Sequence, residues 1–268
     1  MTEKGYRGGL TSNGCSWGFA GESVKGLGTN ASTANNDGGG GGGERRGGGA
    51  CEGQGGGGGA GYATNGTKGS IETTGDGGYA GAPYGFSDLS KIIFGSGGGG
   101  PTVSPDSKGG DGGGIIFIAA SNISVTGSIL ADGGRGTGTS NNAYGGGGSG
   151  GAILLKGISI SLGNLLVNAS NGTGGILTGT ASGGNGSVGR IRLDFLSSTG
   201  STNPISGYNT TEVYAKEGNF TSQVFDAGAV VNWSSIIWTN ATPVNTNLSI
   251  YYRTSADNIT FTSWIQVS

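Results

Sequence analysis

The segment Gly112-Gly113-Gly114-Ile115-Ile116-Phe117-Ile118 is a glycine run that leads directly into a short apolar stretch. The same arrangement returns as Gly150-Gly151-Ala152-Ile153-Leu154-Leu155 and as Gly189-Arg190-Ile191-Arg192-Leu193. The apolar stretches begin at residues 115, 152 and 190, which places them 37 and then 38 residues apart. A repeat of this length predicts a small structural unit that buries its apolar face by stacking on a neighbour of the same kind.

The first two repeats also contain a second apolar segment, at 123–131 and at 158–167, with a glycine near its middle (Gly127 and Gly163). In Ile123-Ser124-Val125-Thr126 the apolar residues fall at every second position, which is the period of a half-buried strand. We therefore predict two strands per repeat and a β-solenoid-like domain over residues 115–195.

Glycine makes up 66 of the 268 residues, about a quarter of the chain, against roughly 7% in ordinary proteins. Such a composition is typical of disordered chains, but here the glycines punctuate periodic strands, and only three of them follow residue 200. We predict that the glycine-rich region 1–114 packs backbone against backbone. Its runs are expected to be either strands or extended left-handed three-residue helices of the polyglycine II type.

The charge pattern excludes several classes of partner. With a net charge of −2 and 11% charged residues, the chain has no basic face for nucleic acid or anionic lipid. No apolar run reaches the roughly 20 residues that span a bilayer.

Histidine, the commonest general base and metal ligand, is absent. We predict no enzyme activity and no metal or other cofactor, since no spacing fixes acid and base roles among Asp106, Asp111, Asp132, Asp226 and Asp257.

The two cysteines, Cys15 and Cys51, lie in the glycine-rich half. We expect them to close a disulfide, which would help a region with little apolar core; two separate thiols are the alternative. Two ligands do not make the four of a structural zinc site. The segment 109–115 resembles half of a calcium-binding nonapeptide but lacks the aspartate at its sixth position, so calcium is the disfavoured alternative.

N-glycosylation is the strongest functional signal in the sequence. Twelve of the chain's twenty asparagines stand in Asn-x-Ser/Thr, where random placement would give about four. The alternative is that Asn, Ser and Thr simply share turns. Around Asn122, Asn247 and Asn258 the asparagine lies opposite the apolar residues of its segment, which favours exposed acceptors. The twelve are Asn30, Asn65, Asn122, Asn168, Asn171, Asn185, Asn209, Asn219, Asn232, Asn240, Asn247 and Asn258.

Such modification requires export, and yet the segment 1–7 lacks the apolar stretch of a signal peptide. We therefore expect either that the primary translation product begins elsewhere or that export uses another route. The predicted localisation is extracellular or at the cell surface.

An ordered set of glycine motifs resembles the glycine-rich repeat region of large secreted or surface-anchored prokaryotic proteins. It covers about residues 5–195 and includes Gly5-Tyr6-Arg7-Gly8-Gly9, Gly21-Glu22-Ser23, the run 38–43, Gly95-Ser96-Gly97-Gly98-Gly99-Gly100, Gly110-Asp111-Gly112-Gly113-Gly114-Ile115, Gly127-Ser128-Ile129-Leu130-Ala131-Asp132-Gly133-Gly134, Gly148-Ser149-Gly150-Gly151-Ala152-Ile153 and Gly189-Arg190-Ile191-Arg192-Leu193. The resemblance implies an extracellular, β-rich, structural or adhesive role without catalytic residues. In such proteins the region lies between other repeats, whereas this chain begins almost on the first motif, so we expect that preceding strands are missing or come from elsewhere.

Composition changes after residue 195. Residues 196–208, which include Pro204, predict a linker. Residues 209–268 resemble a β-sandwich module of the same surface proteins, with short alternating strands predicted at 219–225, 233–238, 247–253 and 258–267. Four strands are fewer than the roughly seven of a full sandwich. We predict an incomplete module that pairs with another chain.

The aromatic residues of this module could form either a sugar-stacking platform or the sandwich core. Tyr251 and Trp264 fall on the polar phase of their strands and are the candidate sugar contacts. Trp233, Trp238 and Tyr252 are expected in the core.

These patterns predict an all-β protein with a glycine-rich region (1–114), repeats (115–195), a linker (196–208) and a partial β-sandwich (209–268). The expected function is an extracellular structural subunit that polymerises head to tail by strand exchange between copies. One alternative is a surface adhesin or carbohydrate-binding module that contacts glycans. The other is a phage tail-fibre tip built of polyglycine helices.

Overall fold

A computed structural model shows an all-β chain with ten strands and no helix among the residues it describes. It divides into two compact units, Met1–Ala215 and Lys216–Ser268. Within the described residues there is no helix that could span a membrane. The described residues are 4–12, 16–31, 33, 38–44, 54–71, 76–102, 107–138, 143–176, 181–210, 218–232, 235–239, 242 and 247–267.

The strands are short, and those of the first unit form two parallel sheets. They are β1 (Ile115–Ala119), β2 (Asn122–Ser124), β3 (Ile129–Leu130), β4 (Ala152–Lys156), β5 (Ser159–Asn168), β6 (Arg190–Asp194), β7 (Ser197–Asn203), β8 (Tyr208–Thr210), β9 (Tyr251–Tyr252) and β10 (Ile265–Gln266). The first sheet has the order β1-β4-β6-β8. In the second sheet β2, β3 and β7 all pair with β5. The remaining two strands, β9 and β10, form an antiparallel pair in the second unit.

The register of the first sheet reproduces the sequence repeat. Ile115 is paired with Ala152, and Ala152 is paired with Arg190. The period of 37 and then 38 residues is therefore the distance along the chain between neighbouring strands. Each repeat contributes to both sheets: β1, β4 and β6 lie in the first sheet, and β2 with β3, β5 and β7 lie in the second.

Apolar side chains from both sheets meet in one core. In β5 the alternation Ser159-Ile160-Ser161-Leu162 is matched by alternating exposure and burial, as the period of a strand requires. Burying each such side chain stabilises the fold by about 1.5–3 kcal/mol. The buried members are Ile123, Ala131, Ile153, Leu155, Ile160, Leu162, Val167, Ala169, Ile191 and Leu193.

The glycine runs lie outside the strands and form a bundle of extended segments joined by backbone hydrogen bonds. The segment 144–151 is surrounded by six others. Its own N–H groups donate to 131–137, 96–99 and 181–187, and the carbonyl groups of 144–149 accept from 57–60, 110–113 and 172–175. Nearly every peptide group in this buried segment therefore has a partner, as a buried backbone requires.

The direction of these hydrogen bonds repeats every third residue. Gly145 and Gly148 donate to Thr137 and Gly134 of one neighbour, at 2.9 and 3.0 Å. The residue that follows each of them donates to a second neighbour, and the next residue donates to a third. A three-residue period without hydrogen bonds inside the segment is the geometry of an extended three-residue helix and not of a strand. The hydrogen bonds of 144–151 therefore repeat with a period of three residues, whereas those of a strand ladder repeat with a period of two.

Glycine is required because the segments approach one another too closely for side chains. A Cβ atom added at Gly146 would overlap the carbonyl oxygen of Gly58, and one added at Gly148 would overlap that of Asp111. The backbone cannot give way there, because it is hydrogen-bonded on all sides. Because successive residues of the segment face different neighbours at this distance, glycine is required at consecutive positions.

The structure differs from the predicted linker at 196–208. Ser197–Asn203 form β7 beside β5, and Tyr208–Thr210 form β8 beside β6. The β7 sequence Ser-Ser-Thr-Gly-Ser-Thr-Asn has no apolar alternation, so only its ladder to β5 reveals it as a strand. Pro204 follows β7 directly, at the point where a missing N–H ends the pairing. The boundary between the units falls after Ala215 instead.

The second unit contains less regular structure than predicted. Among its described residues only β9 and β10 are strands. The segments 219–225 and 235–238 are not strands, and the predicted strands at 247–253 and 258–267 are regular only at Tyr251–Tyr252 and Ile265–Gln266. A single short pair of strands has marginal stability in water and cannot cover an apolar face by itself.

Candidate functional site: an open sheet edge and an exposed aromatic face

The outer side of β1 is an open sheet edge. Ala120 donates to Lys156 at 3.0 Å, and Ala152 donates to Gly114 at 3.0 Å, so the even-numbered residues of this stretch direct their backbone groups toward β4. The intervening residues Phe117 and Ala119 direct their N–H and C=O groups away from β4. Among the described residues β1 has no other neighbour in its sheet, so these groups are available to a further strand.

The apolar core is open at this same end. Ile116, Ile118, Val125 and Ile129 are only partly buried, although they pack against the core. A groove of about 360 Å³ runs along this end and is lined by Ile118, Ala120 and the segment 122–129. The edge of β1 and this groove, together called the open end, would be covered by one further pair of strands.

The opposite end of the second sheet closes with polar residues. Along the pairing between strands, Ile123 and Ile160 are followed by Ser198, and Val167 is followed by Thr202. Thr202 is buried and donates to the carbonyl oxygen of Pro204 at 2.7 Å. A polar last layer is what stacked repeats need at a solvent-exposed end. The two ends are therefore chemically different.

A charged residue at the start of β6 holds the loop 84–94 against the first sheet. Arg190 donates to the carbonyl oxygens of Tyr62 (3.1 Å) and Tyr84, and its guanidinium carbon lies 4.7 Å from the centre of the Tyr62 ring. Burial raises the pKa of both phenols, and Arg190 partly offsets the rise for Tyr62. The sequence analysis did not predict this cluster. The one indication was that Arg190 occupies the repeat position held by the apolar residues Ile115 and Ala152.

Asp111, the aspartate of the half nonapeptide, is bound by cations of the chain itself. Its carboxylate accepts from Lys4 Nζ at 3.1 Å and from the Gly8 N–H at 3.0 Å, and Lys108 Nζ lies 3.6 Å away. Burial alone would raise the pKa of Asp111, but these three groups outweigh it and lower the pKa. Lys4 and Lys108 therefore compensate the negative charge of the Asp111 carboxylate.

The other described aspartates that were candidate acids or bases accept hydrogen bonds from backbone N–H groups. Asp132 accepts from the Ser170 N–H at 2.7 Å, and Asp226 accepts from the Gly228 N–H at 2.8 Å. Asp257 accepts from the N–H groups of Ile259 and Thr260, which lowers its pKa. Asp106 lies outside the described residues. Within the described part of the chain, no group of three metal-ligating side chains is present.

The predicted glycosylation sites differ in accessibility. Asn30, Asn168 and Asn171 are half-buried, and Asn168 Nδ2 donates to the carbonyl oxygen of Leu165 at 2.8 Å. Asn240 lies outside the described residues. The remaining eight are exposed: Asn65, Asn122, Asn185, Asn209, Asn219, Asn232, Asn247 and Asn258.

Cys15 and Cys51 both lie outside the described residues. Ser12 and Gly55, two described residues near the cysteines in sequence, both contact Thr102. The disulfide stays a prediction.

The aromatic residues of the second unit are exposed where the structure describes them. Tyr251 and Trp264 are about half exposed, at 50% and 52%, and Trp238 and Tyr252, which we expected in a core, are 43% and 36% exposed. Trp233 lies outside the described residues. The guanidinium carbon of Arg253 lies 4.6 Å from the centre of the Trp264 ring and 4.4 Å from that of Phe261. Sequence reasoning did not include Arg253 in this site.

No protein-family model, no curated protein and no solved structure matches this chain.

Proposed function

We propose that the protein is a structural subunit of an extracellular, N-glycosylated filament whose copies join head to tail by strand pairing. The observation that carries this proposal is the exposure of apolar residues in the second unit. Phe220, Ile237 and Ile259 are 92%, 90% and 84% exposed. Large apolar side chains in such numbers are normally covered by another surface.

The open end of the first unit supplies a surface of the matching kind. It offers unpaired backbone groups on β1 beside a groove lined by apolar side chains. A strand with apolar residues at alternate positions would complete both the ladder and the core. The segment 247–253 of the second unit has this pattern, with Leu248, Ile250 and Tyr252 on one phase.

Pairing between these two surfaces of successive copies is heterologous, because the surfaces differ. A heterologous contact that does not close produces a filament. In this arrangement the two sheets of the first unit act as a short β-solenoid that is extended at each junction. The six exposed asparagines outside the junction, Asn65, Asn185, Asn209, Asn219, Asn232 and Asn258, would then carry glycans on the filament surface, where few charged residues provide solubility.

Electron microscopy of the purified full chain and two variants tests the proposal. Ile237→Lys places a charge in the surface that the filament would bury, whereas Leu27→Lys changes an exposed leucine of the first unit that is 70% exposed. We expect filaments from the wild type and from Leu27→Lys and a large loss of filaments from Ile237→Lys. Discrete monomers or closed dimers of the wild type at high concentration would contradict the proposal.

A further inference from the structure

The antiparallel pair of the second unit has two chemically different faces. Tyr252 is paired with Ile265 and Tyr251 with Gln266, and the pair is extended by the bond from the Val267 N–H to the Ile250 carbonyl oxygen at 2.8 Å. Directly paired residues of a ladder share a face. One face is therefore apolar. The other, which we call the aromatic face, carries Tyr251, Arg253, Trp264 and Gln266.

Arg253 is held on the aromatic face by rings and not by a carboxylate. Its guanidinium carbon lies over the rings of Phe261 and Trp264, at 4.4 and 4.6 Å. Stacking of this kind uses the flat side of the guanidinium and leaves its N–H groups free in the plane. Among the described residues Arg253 forms no ion pair and donates no side-chain hydrogen bond.

The nearby carboxylate does not compensate Arg253, because the loop uses it. Asp257 accepts from Ser255 Oγ at 2.9 Å, from the Ile259 N–H at 3.0 Å and from the Thr260 N–H at 2.7 Å. These bonds order the loop that joins Arg253 to Phe261 and so fix the ring beside the guanidinium. The arginine is thus positioned while its charge stays available.

We propose that the aromatic face binds a carboxylated sugar, that is, a uronic acid residue of a glycan. The carboxylate would accept two parallel hydrogen bonds from the Arg253 guanidinium, which is the geometry that this group favours. The C–H face of the sugar ring would pack on the exposed side of Trp264. Tyr251 and Gln266 border the same face and offer a hydroxyl and an amide to the sugar hydroxyls.

Carbohydrate is favoured over an acidic peptide because of what surrounds the cation. A carboxylate alone needs only the guanidinium, whereas the half-exposed rings of Tyr251 and Trp264 lie on the same face and offer flat apolar surface. A uronic acid presents a charge and a flat apolar side within one ring. The face matches both features.

Isothermal titration of the full chain with trigalacturonate tests the site, with its methyl ester and triglutamate as comparison probes. We expect binding of trigalacturonate that is at least about tenfold tighter than that of either comparison probe. Arg253→Lys keeps a cation over the rings but loses the paired N–H groups, and Trp264→Ala loses the stacking surface. Each should weaken binding at least about tenfold. Trp238→Ala, which removes a tryptophan of similar exposure, should leave the affinity unchanged.

Equal affinity for the methyl ester, or an unchanged affinity in Arg253→Lys, would overturn the site. Equal affinity for triglutamate would overturn the sugar assignment. The titration is repeated with Phe117→Pro, a variant of the open end in the other unit, so that loss of filaments and loss of sugar binding are measured separately. Thermal unfolding of each variant identifies any that fails to fold, and Arg253→Lys, the milder change, then decides the outcome.

Discussion

At the scale of single residues, the glycines of this chain fall into two groups that the sequence does not distinguish. Gly146 is in a segment enclosed by backbone, and a Cβ there would overlap the carbonyl oxygen of Gly58. At Gly127 the same added atom would meet nothing within 4 Å. The two positions should therefore respond in opposite ways to alanine.

Gly146→Ala is expected to destabilise the first unit by about 3 kcal/mol or more, because neither backbone can move away. Gly127→Ala should be neutral or stabilising by up to about 1 kcal/mol, since it reduces the freedom of the unfolded chain. Urea unfolding of the two variants measures both effects. Equal small effects at the two positions would show that the bundle is not packed as described.

The buried phenols of Tyr62 and Tyr84 predict a loss of stability in alkali. Burial raises the pKa of both above the value of about 10 that holds in the unfolded chain. Their contribution is complete below about pH 10 and is lost as the pH rises toward the folded values, because only the unfolded chain then releases the protons. Urea midpoints should therefore fall between about pH 9 and about pH 11. The fall should be smaller in Tyr62→Phe, and an unchanged slope would count against burial as its cause.

The exposure of the asparagines predicts which sites carry glycans. The sugar is attached at Nδ2, and in Asn168 this atom is engaged by the Leu165 carbonyl oxygen. Asn65 is exposed and lies outside the strands and the open end. Glycopeptide mass spectrometry of protein from its native source should find Asn65 occupied and Asn168 largely unoccupied. The reverse pattern would show that modification does not depend on the folded surface.

At the scale of elements, the sequence predicts strands where packing demands apolar alternation and misses them where it does not. The strands β1, β4 and β6 follow from the repeat, because each contributes side chains to the core. By contrast, β7 is polar and is specified by its hydrogen bonds to β5, which leave no local signal. The glycine runs were ambiguous for a related reason. Their three-residue period is a period of hydrogen-bond direction. It is not visible in the sequence, because the residues of a run are nearly all glycine.

A single substitution can block strand pairing at the open edge of β1. Phe117→Pro removes an N–H that points away from β4, whereas Phe117→Thr changes the same exposed side chain (57% exposed) and keeps the N–H. We expect the proline variant to lose filaments and the threonine variant to keep them. Sedimentation velocity at matched concentrations provides the measurement. Filaments from both variants, with the fold retained, would show that β1 is not the pairing edge.

At the scale of the whole molecule, the two units differ in how far their backbone groups are hydrogen-bonded and their apolar side chains are buried. The first unit joins its glycine segments by backbone hydrogen bonds in a dense bundle, and in its described part the outer side of β1 is unpaired. The second unit has few ladders and exposes its apolar residues. Sequence reasoning predicted incompleteness from the low strand number, and the structure adds where the open backbone groups and apolar surfaces lie. The sequence could not predict that Arg253 lies over two rings, because that contact depends on the register of β9 and β10.

Hydrogen exchange at low and high protein concentration tests most directly whether copies complete one another. The account predicts that the amides of Phe117 and Ala119, and those of Ser249 and Tyr251, which face away from β10, exchange rapidly in dilute protein and become protected together as filaments form. Protection of both segments that is the same at all concentrations would contradict it, whether the amides are always slow or always fast.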